Sequence, residues 1–375
     1  MRVIHVINGL ETGGAETVLY RLATYPSDVQ HQVISLEDRG TFSDRLESHG
    51  VVVHHLNWKS PLSSMSGFIR LYRLLRRSDP DVVQAWMYRA NLLAGLAGKV
   101  AGLPVVWNIR SSTLAPLRLP TRILARLGGR FASLLSASVI NCSSRSADLH
   151  ARFGYDAAKG FVIANGYDPE VFAPDDNMRN FTRSEFGISP ETFLVGTIAR
   201  WHLQKGYPIL VRALGMARSN GVPIRALLVG RGMDGRNGEI KKLIRECGLQ
   251  DCVQLLGERA EIPSIARALD VHVLSSIGSE GFPNAVAETS LSGTPNIVTD
   301  VGDSKCIVGD SGWLIPTGDP KQLAVAIEQA YTEWSASPVR WQERRLRARK
   351  RIVEKFSLQG MVLAYEKVWR QVADR

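Results

Sequence analysis

Two glutamates, Glu280 and Glu288, frame the stretch of this chain whose residue types are best suited to chemistry. A short apolar run over residues 271–275 precedes them and predicts a buried strand. A helix should begin near Pro283 or Asn284, because proline favours the first helical turn. Glu280 is therefore predicted to lie in a loop past the carboxyl end of a strand, and Glu288 about one turn into the helix. Ligands of open α/β sheets bind at that edge.

The predicted loop and helix combine two kinds of recognition. Unpaired N–H groups at a helix start suit an anionic ligand such as a diphosphate. Two carboxylates beside them make poor anion ligands but good acceptors for hydroxyl groups. A molecule that carries both a diphosphate and hydroxyls is a nucleotide sugar, which is the predicted ligand.

Positive charge is predicted at the same edge of the sheet that the second half of the chain should form. Arg200 ends a strand-like run and Lys205 opens the next helix, so both cations can reach the same phosphates. Fixed cations there would stabilise the charge that a leaving nucleoside diphosphate gains. Gly230-Arg231 and Gly13-Gly14 are further glycine turns at strand ends, where a ligand can approach the backbone closely. The alternative for each pair is a solvated basic surface or an ordinary tight turn.

The acidic and histidine pairs of the sequence do not predict a metal site. Asp79-Pro80-Asp81 precedes a strand and should lie at its amino end, which favours a turn. His54-His55 should point to opposite faces of a strand and cannot both reach one ion. We therefore expect no metal cofactor, provided that Arg200 and Lys205 supply the positive charge that Mg²⁺ would otherwise give.

Strand-like and helix-like segments alternate along both halves of the chain, which predicts an α/β fold with parallel sheets. Two doubly wound domains facing a central cleft are expected. The predicted boundaries are 1–175 for the first domain and 176–340 for the second, with a linker near 170–185. Residues 341–375 should form helices that pack where the domains meet.

The net charge of +10 is concentrated between Trp58 and Leu135, where twelve Lys/Arg residues stand against Asp79 and Asp81. Such asymmetry favours an acidic partner. No nucleic-acid-binding signature accompanies it, so nucleic acid is not the predicted partner. The predicted partner is an anionic membrane surface, because this window contains a basic amphipathic helix. The alternative is a core-facing helix with a solvated basic face. Its arginines are Arg118, Arg122, Arg126 and Arg130, and its apolar residues are Leu119, Ile123, Leu124, Leu127, Phe131 and Leu134.

Taken in order, the motifs resemble those of the retaining glycosyltransferases of family 4, which have the GT-B fold. The resemblance covers nearly the whole chain and is densest from 160 to 335. It rests on Gly13-Gly14-Ala15-Glu16, Asn165-Gly166-Tyr167-Asp168 with Phe172, Arg200 with Lys205-Gly206, Val229-Gly230-Arg231-Gly232, Glu280 to Glu288, Ser292-Gly293-Thr294-Pro295 and Gly312-Trp313-Leu314-Ile315.

The resemblance implies a role for each site residue. Glu280 would bind the donor sugar, Glu288 the ribose, and Arg200 and Lys205 the diphosphate. The remaining implied contacts are Gly14 behind the phosphate, the backbone at Gly281, Phe282, Asn284 and Ala285, the turn at Gly230, and the base near Arg231 and Glu258-Arg259. The family transfers the sugar with retention and needs no metal, and we expect a UDP-sugar rather than a GDP-sugar donor.

Arg110 departs from the family pattern. Many members have a histidine at its place, and an arginine cannot relay a proton near neutral pH. We expect Arg110 to stabilise charge or bind an acceptor phosphate; the alternative is a structural salt bridge.

The resemblance also implies an acceptor and a location. The acceptor site should lie in the first domain and suit a glycan linked to undecaprenyl diphosphate, in capsule, O-antigen or exopolysaccharide assembly. The chain is expected in the cytoplasm, peripheral to the inner face of the plasma membrane, and its four cysteines without a CxxC pair favour reduced thiols. The other functions considered are a sugar-nucleotide epimerase or hydrolase, and a non-catalytic membrane scaffold.

Overall fold

The structure, a computed structural model, describes residues 1–58, 64–112, 119–278 and 280–374. The chain divides into two compact units: Met1–Gly166 with Leu358–Arg375, and Tyr167–Ser357. Lys59 and Arg118, two of the predicted basic residues, lie outside the described residues.

The first unit is a seven-stranded parallel sheet in the order β3-β2-β1-β4-β5-β6-β7 with helices on both faces. Its strands are β1 Arg2–Ile7, β2 Gln30–Ser35, β3 Val52–His55, β4 Val82–Trp86, β5 Val105–Ile109, β6 Ser138–Asn141 and β7 Gly160–Val162. Its helices are α1 Gly14–Thr24, α2 Thr41–Glu47, α3 Ser64–Ser78, α4 Met87–Ala101, α5 Leu119–Leu135, α6 Ser144–Ala151 and α15 Leu358–Ala373.

The second unit is a six-stranded parallel sheet in the order β10-β9-β8-β11-β12-β13. Its strands are β8 Leu194–Ile198, β9 Arg225–Val229, β10 Val253–Gly257, β11 Val271–Leu274, β12 Asn296–Thr299 and β13 Trp313–Ile315. Its helices are α7 Asp176–Glu185, α8 Tyr207–Ser219, α9 Gly238–Glu246, α10 Ile262–Ala268, α11 Asn284–Leu291, α12 Ser304–Val308, α13 Pro320–Ala336 and α14 Pro338–Lys355. The predicted α/β fold of two Rossmann-like domains is confirmed.

The central strands of both sheets are buried on both faces, so they read as apolar runs rather than alternating patterns. In β4 all five residues are buried, and in β11 all four are. Such a run explains why the strand predicted over residues 271–275 agrees with β11 to within one residue.

The predicted linker near 170–185 is wrong in its second half, because residues 176–185 form α7. The side chain of Asp175 accepts the Met178 N–H and starts the helix. Arg179 and Arg183 then reach Asp270, at 2.5 and 3.2 Å, and the carbonyl groups that end α10. The sequence hid this helix because its buried contacts are made by arginines rather than by apolar residues.

The observed units also differ from the predicted boundaries. The chain passes into the second unit at Tyr167 rather than at 176, and it returns at Leu358 rather than ending in a separate segment 341–375. Helix α14 therefore belongs to the second unit and α15 to the first. Helix α15 buries Tyr365 and Trp369 in the core of the first unit.

Candidate functional site

The predicted donor residues follow three neighbouring strands of the second unit. Arg200 and Lys205 come after β8, Arg231 after β9 and Glu280 after β11, and β8 pairs with both other strands. The connections from β8 and β11 leave in opposite directions along the sheet. This is the switch point at which open parallel sheets bind ligands.

Lys205 and Glu280 form an ion pair across this switch point. The Lys205 ammonium donates to Glu280 Oε1 at 2.5 Å, and the Ser276 hydroxyl donates to the same oxygen at 2.6 Å. The side chains are 24% and 10% exposed. Partial removal from water strengthens this contact relative to an exposed surface pair. The sequence predicted both charged residues but not their direct contact, and it missed Ser276.

Gly206 fixes the turn that presents Lys205. Its φ of 67° lies in the left-handed region, and a Cβ there would overlap the Ser275 carbonyl oxygen. Two hydrogen bonds tie the same turn to the end of β11: Ser275 Oγ donates to the Lys205 carbonyl at 2.8 Å, and the Ile277 N–H to that of Gln204 at 2.8 Å. The two charged groups are therefore positioned by the backbone.

The loop after Glu280 ends at α11 as predicted, since the helix begins at Asn284. Pro283 is the residue just before the helix rather than its first member. The Asp303 N–H donates to the Gly281 carbonyl at 3.0 Å, and Gly302, with φ 51°, lies too close to this loop for a side chain. The turn at Gly302 and Asp303 thus packs against the loop that follows Glu280 and holds it in place.

Phe282 and Asn284 are anchored inside the second unit. The Phe282 ring is buried and stacks on Tyr167 and against Phe356, with centroids 6.3 and 5.1 Å apart. The Tyr167 hydroxyl donates to Asn284 Oδ1 at 2.7 Å. The phenylalanine ring therefore packs in the core, and only its backbone N–H remains the predicted ligand contact.

One face of α11 stays partly exposed at Asn284, Ala285 and Glu288. Positions three and four apart lie on the same side of a helix. Glu288 is thus more exposed than the buried Glu280, so the two carboxylates differ in environment.

The turns after β8 and β9 are joined to each other. The Trp201 N–H donates to the Arg231 carbonyl at 2.8 Å. Gly230, with φ 138°, has no room for a Cβ beside Ala199. Arg200 and Arg231 both expose their side chains from this pair of turns.

Arg259 lies one strand further out, after β10, and is exposed. It pairs with Glu261 at 3.4 Å and lies 5.9 Å above the Phe186 ring. Its charge is therefore shared locally with a carboxylate, and its predicted contact with the base stays a prediction.

His202 is a candidate that sequence reasoning missed. Its Nδ1 accepts the Gln204 N–H at 3.3 Å and caps the short 3-10 helix 203–205. Burial lowers the pKa of His202, and the charges of Arg200 and Lys205 lower it further. A neutral imidazole with its proton on Nε2 therefore stands beside two cations. Its position three residues before Lys205, in the same turn, was the available signal.

Arg110 lies at the carboxyl end of β5 in the first unit. One guanidinium nitrogen donates to Asn165 Oδ1, and the group lies 5.9 Å from the Trp86 ring centroid. No carboxylate pairs with Arg110 among the described residues, so the structural salt bridge is not seen there. Its Nη1 is buried and has no hydrogen-bond partner in that part of the chain.

A tyrosine from α15 completes the surroundings of Arg110. The Asn108 amide donates to the Tyr365 hydroxyl at 2.6 Å. Burial raises the pKa of Tyr365, whereas the nearby Arg110 charge lowers it. Helix α15 thus places a buried tyrosine hydroxyl close to Arg110.

A cavity of about 360 Å³ opens at the carboxyl edge of the first sheet. Glu11, Glu37 and Asp38 line it together with Trp58 and Arg89. Arg89 lies 3.5 Å from Glu37 and donates to the Trp58 carbonyl at 2.9 Å. Gly14, the predicted phosphate contact of this unit, is the first residue of α1, directly after Gly13.

Three or more His, Cys, Asp or Glu side chains do not cluster as a metal site anywhere in the described residues. Asp79-Pro80-Asp81 forms the turn before β4: Asp81 accepts the Arg2 backbone N–H at 2.7 Å and Asp79 pairs with its guanidinium. Among the same residues no helix is both long and apolar enough to cross a membrane.

Comparisons with known proteins agree with this architecture. Residues 12–171 match the model of Glycosyltransferase Family 4, and residues 191–333 match that of Glycosyl transferases group 1. EpsF of Bacillus subtilis, whose name assigns it to the glycosyltransferases, is 26% identical over 80% of this chain and 79% of its own. The Escherichia coli UDP-Gal:alpha-D-GlcNAc-diphosphoundecaprenol alpha-1,3-galactosyltransferase is 27% identical over 69% of this chain and 68% of its own.

Solved structures show the same fold. HepE of Anabaena in complex with UDP superposes with a TM-score of 0.86 at 22% identity, covering 99% of this chain and 100% of that one. Sucrose-phosphate synthase of Thermosynechococcus elongatus superposes with a TM-score of 0.79 at 17% identity, covering 99% of each chain. The chain therefore has the GT-B fold, and the family-model matches and relatives together identify it as a glycosyltransferase whose first part resembles family 4 and whose second part resembles group 1.

Proposed function

We propose that the chain transfers a sugar from a UDP-sugar, with retention, to a glycan linked to a lipid through a diphosphate. The observation that carries this proposal is the Lys205–Glu280 pair at the switch point between β8 and β11. A cation and a carboxylate held in contact there match the phosphate and the hydroxyls of a nucleotide sugar. An ammonium has three N–H donors, and the Glu280 bond uses only one of them.

Each site residue has a proposed role. Glu280 accepts hydrogen bonds from donor sugar hydroxyls and Glu288 from the ribose, while Arg200 and Lys205 bind the diphosphate. Backbone N–H groups at Gly281, Phe282, Asn284 and Ala285 contact sugar or phosphate, Gly14 backs the phosphate, and Gly230, Arg231 and Arg259 lie toward the base.

The proposed reaction exchanges one bond for another at the anomeric carbon. The bond from this carbon to the diphosphate oxygen breaks, and the acceptor oxygen forms its bond on the same face of the sugar. The acceptor proton passes to the leaving phosphate. Arg200 and Lys205 stabilise the negative charge that the diphosphate gains, and they do so without a metal ion in this proposal.

Relatives support UDP as the carrier. HepE is described in complexes with UDP and with UDP-glucose, and the Escherichia coli relative is named for a UDP-Gal donor. These names motivate a uridine donor and leave the choice of sugar to the pocket residues.

The acceptor is proposed to bind the first unit. The cavity lined by Glu11, Glu37 and Asp38 offers carboxylates that can accept hydrogen bonds from sugar hydroxyls. The name of the Escherichia coli relative contains diphosphoundecaprenol, which supports a lipid-linked glycan and a place in surface-polysaccharide assembly. We propose accordingly that the chain works at the inner face of the plasma membrane, on anionic lipid.

Thermal unfolding in the presence of UDP, GDP, ADP and their sugars tests the donor site, with Lys205→Ala as control. A ligand at 100 times its dissociation constant stabilises the native state by about 2.7 kcal/mol. We expect a higher melting temperature with UDP compounds that is lost in the variant. No shift with any nucleotide would contradict the proposed donor site.

Turnover tests the chemistry separately. Proton NMR of the product should show the anomeric configuration of the donor, and the rate should not fall in EDTA. Inverted product would refute retention, and a rate that is restored only by Mg²⁺ would refute metal independence.

A further inference from the structure

Helix α5 turns its small residues toward the first unit and its large apolar residues toward solvent. The buried positions are Ala125, Gly128, Gly129 and Ala132. A Cβ on Gly128 would overlap the Tyr155 hydroxyl, and one on Gly129 the Phe153 carbonyl oxygen. The helix therefore lies against its neighbours through a glycine face that admits no larger side chain, and this contact fixes its rotation.

The opposite side of α5 carries a continuous apolar row. Leu119, Ile123, Leu127, Phe131 and Leu134 are 68, 48, 41, 39 and 57% exposed. Their spacing of four, four, four and three residues places them along one line of the helix. The alternative, an apolar row that faces the core, is therefore not what the structure shows, because the glycine face of α5 packs against Phe153 and Tyr155 instead.

Arginines border this row. Arg122, Arg126 and Arg130 are exposed, and at 100° per residue they line one edge of the apolar row. The helix contains no Asp or Glu, and no carboxylate pairs with these three arginines among the described residues. The neighbouring α4 adds exposed Leu96 and Val100 and a basic residue, Lys99.

We propose that this face of α5, its apolar row with the three bordering arginines, docks on an anionic lipid bilayer. The apolar side chains enter the boundary between headgroups and acyl chains, and the arginines bind lipid phosphates. Charge complementarity favours this occupant over a second copy of the chain, because pairing two such faces would bring two arginine rows together. The inference deepens the proposed membrane location by naming its element and its mode, which is insertion rather than charge attraction alone.

Flotation of the full chain with vesicles tests the proposal. Vesicles of phosphatidylcholine with 30% phosphatidylglycerol are compared with phosphatidylcholine alone, at low and high salt. We expect Ile123→Ser/Leu127→Ser/Phe131→Ser to weaken binding at least about tenfold at both salt concentrations, since each exposed apolar chain contributes buried area. Arg122→Gln/Arg126→Gln/Arg130→Gln should remove the dependence on phosphatidylglycerol and on salt.

The control changes apolar residues on another helix that are more exposed than those changed in α5. Val339→Ser/Leu346→Ser on α14 should leave vesicle binding unchanged. Unchanged binding of the α5 apolar variant would overturn the proposal. The proposal would also be overturned if the wild-type chain did not bind vesicles but formed a concentration-dependent dimer that the α5 apolar variant abolished. The face would then serve a second copy of the chain.

A probe within the helix reports insertion directly. The Leu127→Cys variant, made in a Cys306→Ser background, is labelled with an environment-sensitive fluorophore. The emission of this fluorophore should shift to the blue on anionic vesicles, and an unchanged spectrum would overturn insertion. The UDP-dependent thermal shift should persist in the α5 apolar variant. If UDP gives no thermal shift in the wild-type chain, the proposed donor site is refuted, whereas the docking result still stands.

Discussion

The carboxyl edges of the two sheets carry different kinds of charged site. In the second unit, Lys205 and Glu280 pair with each other at 2.5 Å, and backbone hydrogen bonds fix the turn that presents the lysine. In the first unit, Arg110 bonds the neutral amide of Asn165, and its buried Nη1 has no partner among the described residues. The same parallel-sheet scaffold thus supports one charge that is paired and one that is not.

A paired charge is held in position before a ligand arrives, whereas an unpaired charge can gain a partner when the ligand binds. A pre-formed ion pair holds its groups in place before the ligand arrives, which lowers the cost of ordering them during binding. A buried unpaired N–H costs about 1–3 kcal/mol, and a ligand that accepts from it recovers that energy. The paired geometry of the second unit agrees with the proposed donor site, and the unpaired arginine of the first unit agrees with a proposed site whose anionic partner comes with the ligand.

The largest expected effect concerns the paired site. Lys205→Ala and Glu280→Ala should each reduce kcat/KM about 100-fold or more, because the first removes a cation proposed to bind the diphosphate and the second removes the proposed acceptor of the sugar hydroxyls. Steady-state kinetics with a UDP-sugar measures this. The double variant should lose less than the product of the single losses, since each single change also strands a half-buried charge. Two single variants with wild-type turnover would remove the pair from the site.

Acidification should destabilise the first unit through its buried histidines. The Trp86 indole donates to His5 Nδ1 at 3.2 Å, so His5 carries its proton on Nε2, which donates to His31 at 2.9 Å. Burial lowers the pKa of His31 to about 4, and it also lowers the pKa of His5. Since these folded pKa values lie below the unfolded value of 6.5, stability is full above pH 6.5 and is lost as the pH falls toward 4.

The loss in that window should reach about 3 kcal/mol, at about 1.4 kcal/mol per pKa unit. Urea unfolding followed by tryptophan fluorescence at pH 7 and pH 4.5 measures it, and His31→Gln should flatten the dependence. Burial also lowers the pKa of His272 in the second unit to about 4, but this histidine is bonded to the Ile198 N–H and to Asn296 Oδ1 rather than to a second histidine. We therefore expect the first unit to unfold first, and the opposite order would contradict the comparison.

Two glycine variants compare the turns of the two units. Gly206→Ala places a Cβ at φ 67° against the Ser275 carbonyl and should cost at least about 2 kcal/mol of unfolding free energy. Gly13→Ala keeps extended backbone and meets only the flexible end of Glu16, so it should cost about 0.5 kcal/mol or less. Thermal unfolding of both variants checks the difference. Equal costs would mean that the Lys205 turn is not held as the hydrogen bonds indicate.

The smallest effect is expected at Arg110. Arg110→Gln should reduce kcat/KM about tenfold without lowering the melting temperature, because the change removes a charge that no described carboxylate balances. A lower kcat would assign the arginine to the leaving diphosphate, and a higher acceptor KM to an acceptor phosphate. Unchanged kinetics with a lower melting temperature would show that Arg110 is structural.

Much of the donor edge could be predicted from the sequence. Apolar runs located β8 and β11, and the residues after them placed Arg200, Lys205 and Glu280 at one edge of the sheet. These signals are local, since a buried parallel strand and the turn that follows it are written in consecutive residues. The helix α7 escaped because arginines make its buried contacts, with Asp270 from a distant part of the chain.

The sequence by itself determined the two α/β units, the strand ends and the charged residues that follow them, because periodicity and turn chemistry act over a few residues. Only the tertiary structure decided which of these groups meet. It joined Lys205 to Glu280, placed His202 beside two cations, brought Tyr365 to Asn108, and turned the apolar row of α5 outward. Apart from His202, whose two cationic neighbours are close in sequence, each of these depends on packing between segments far apart in the chain, where steric fit rather than local preference selects the arrangement.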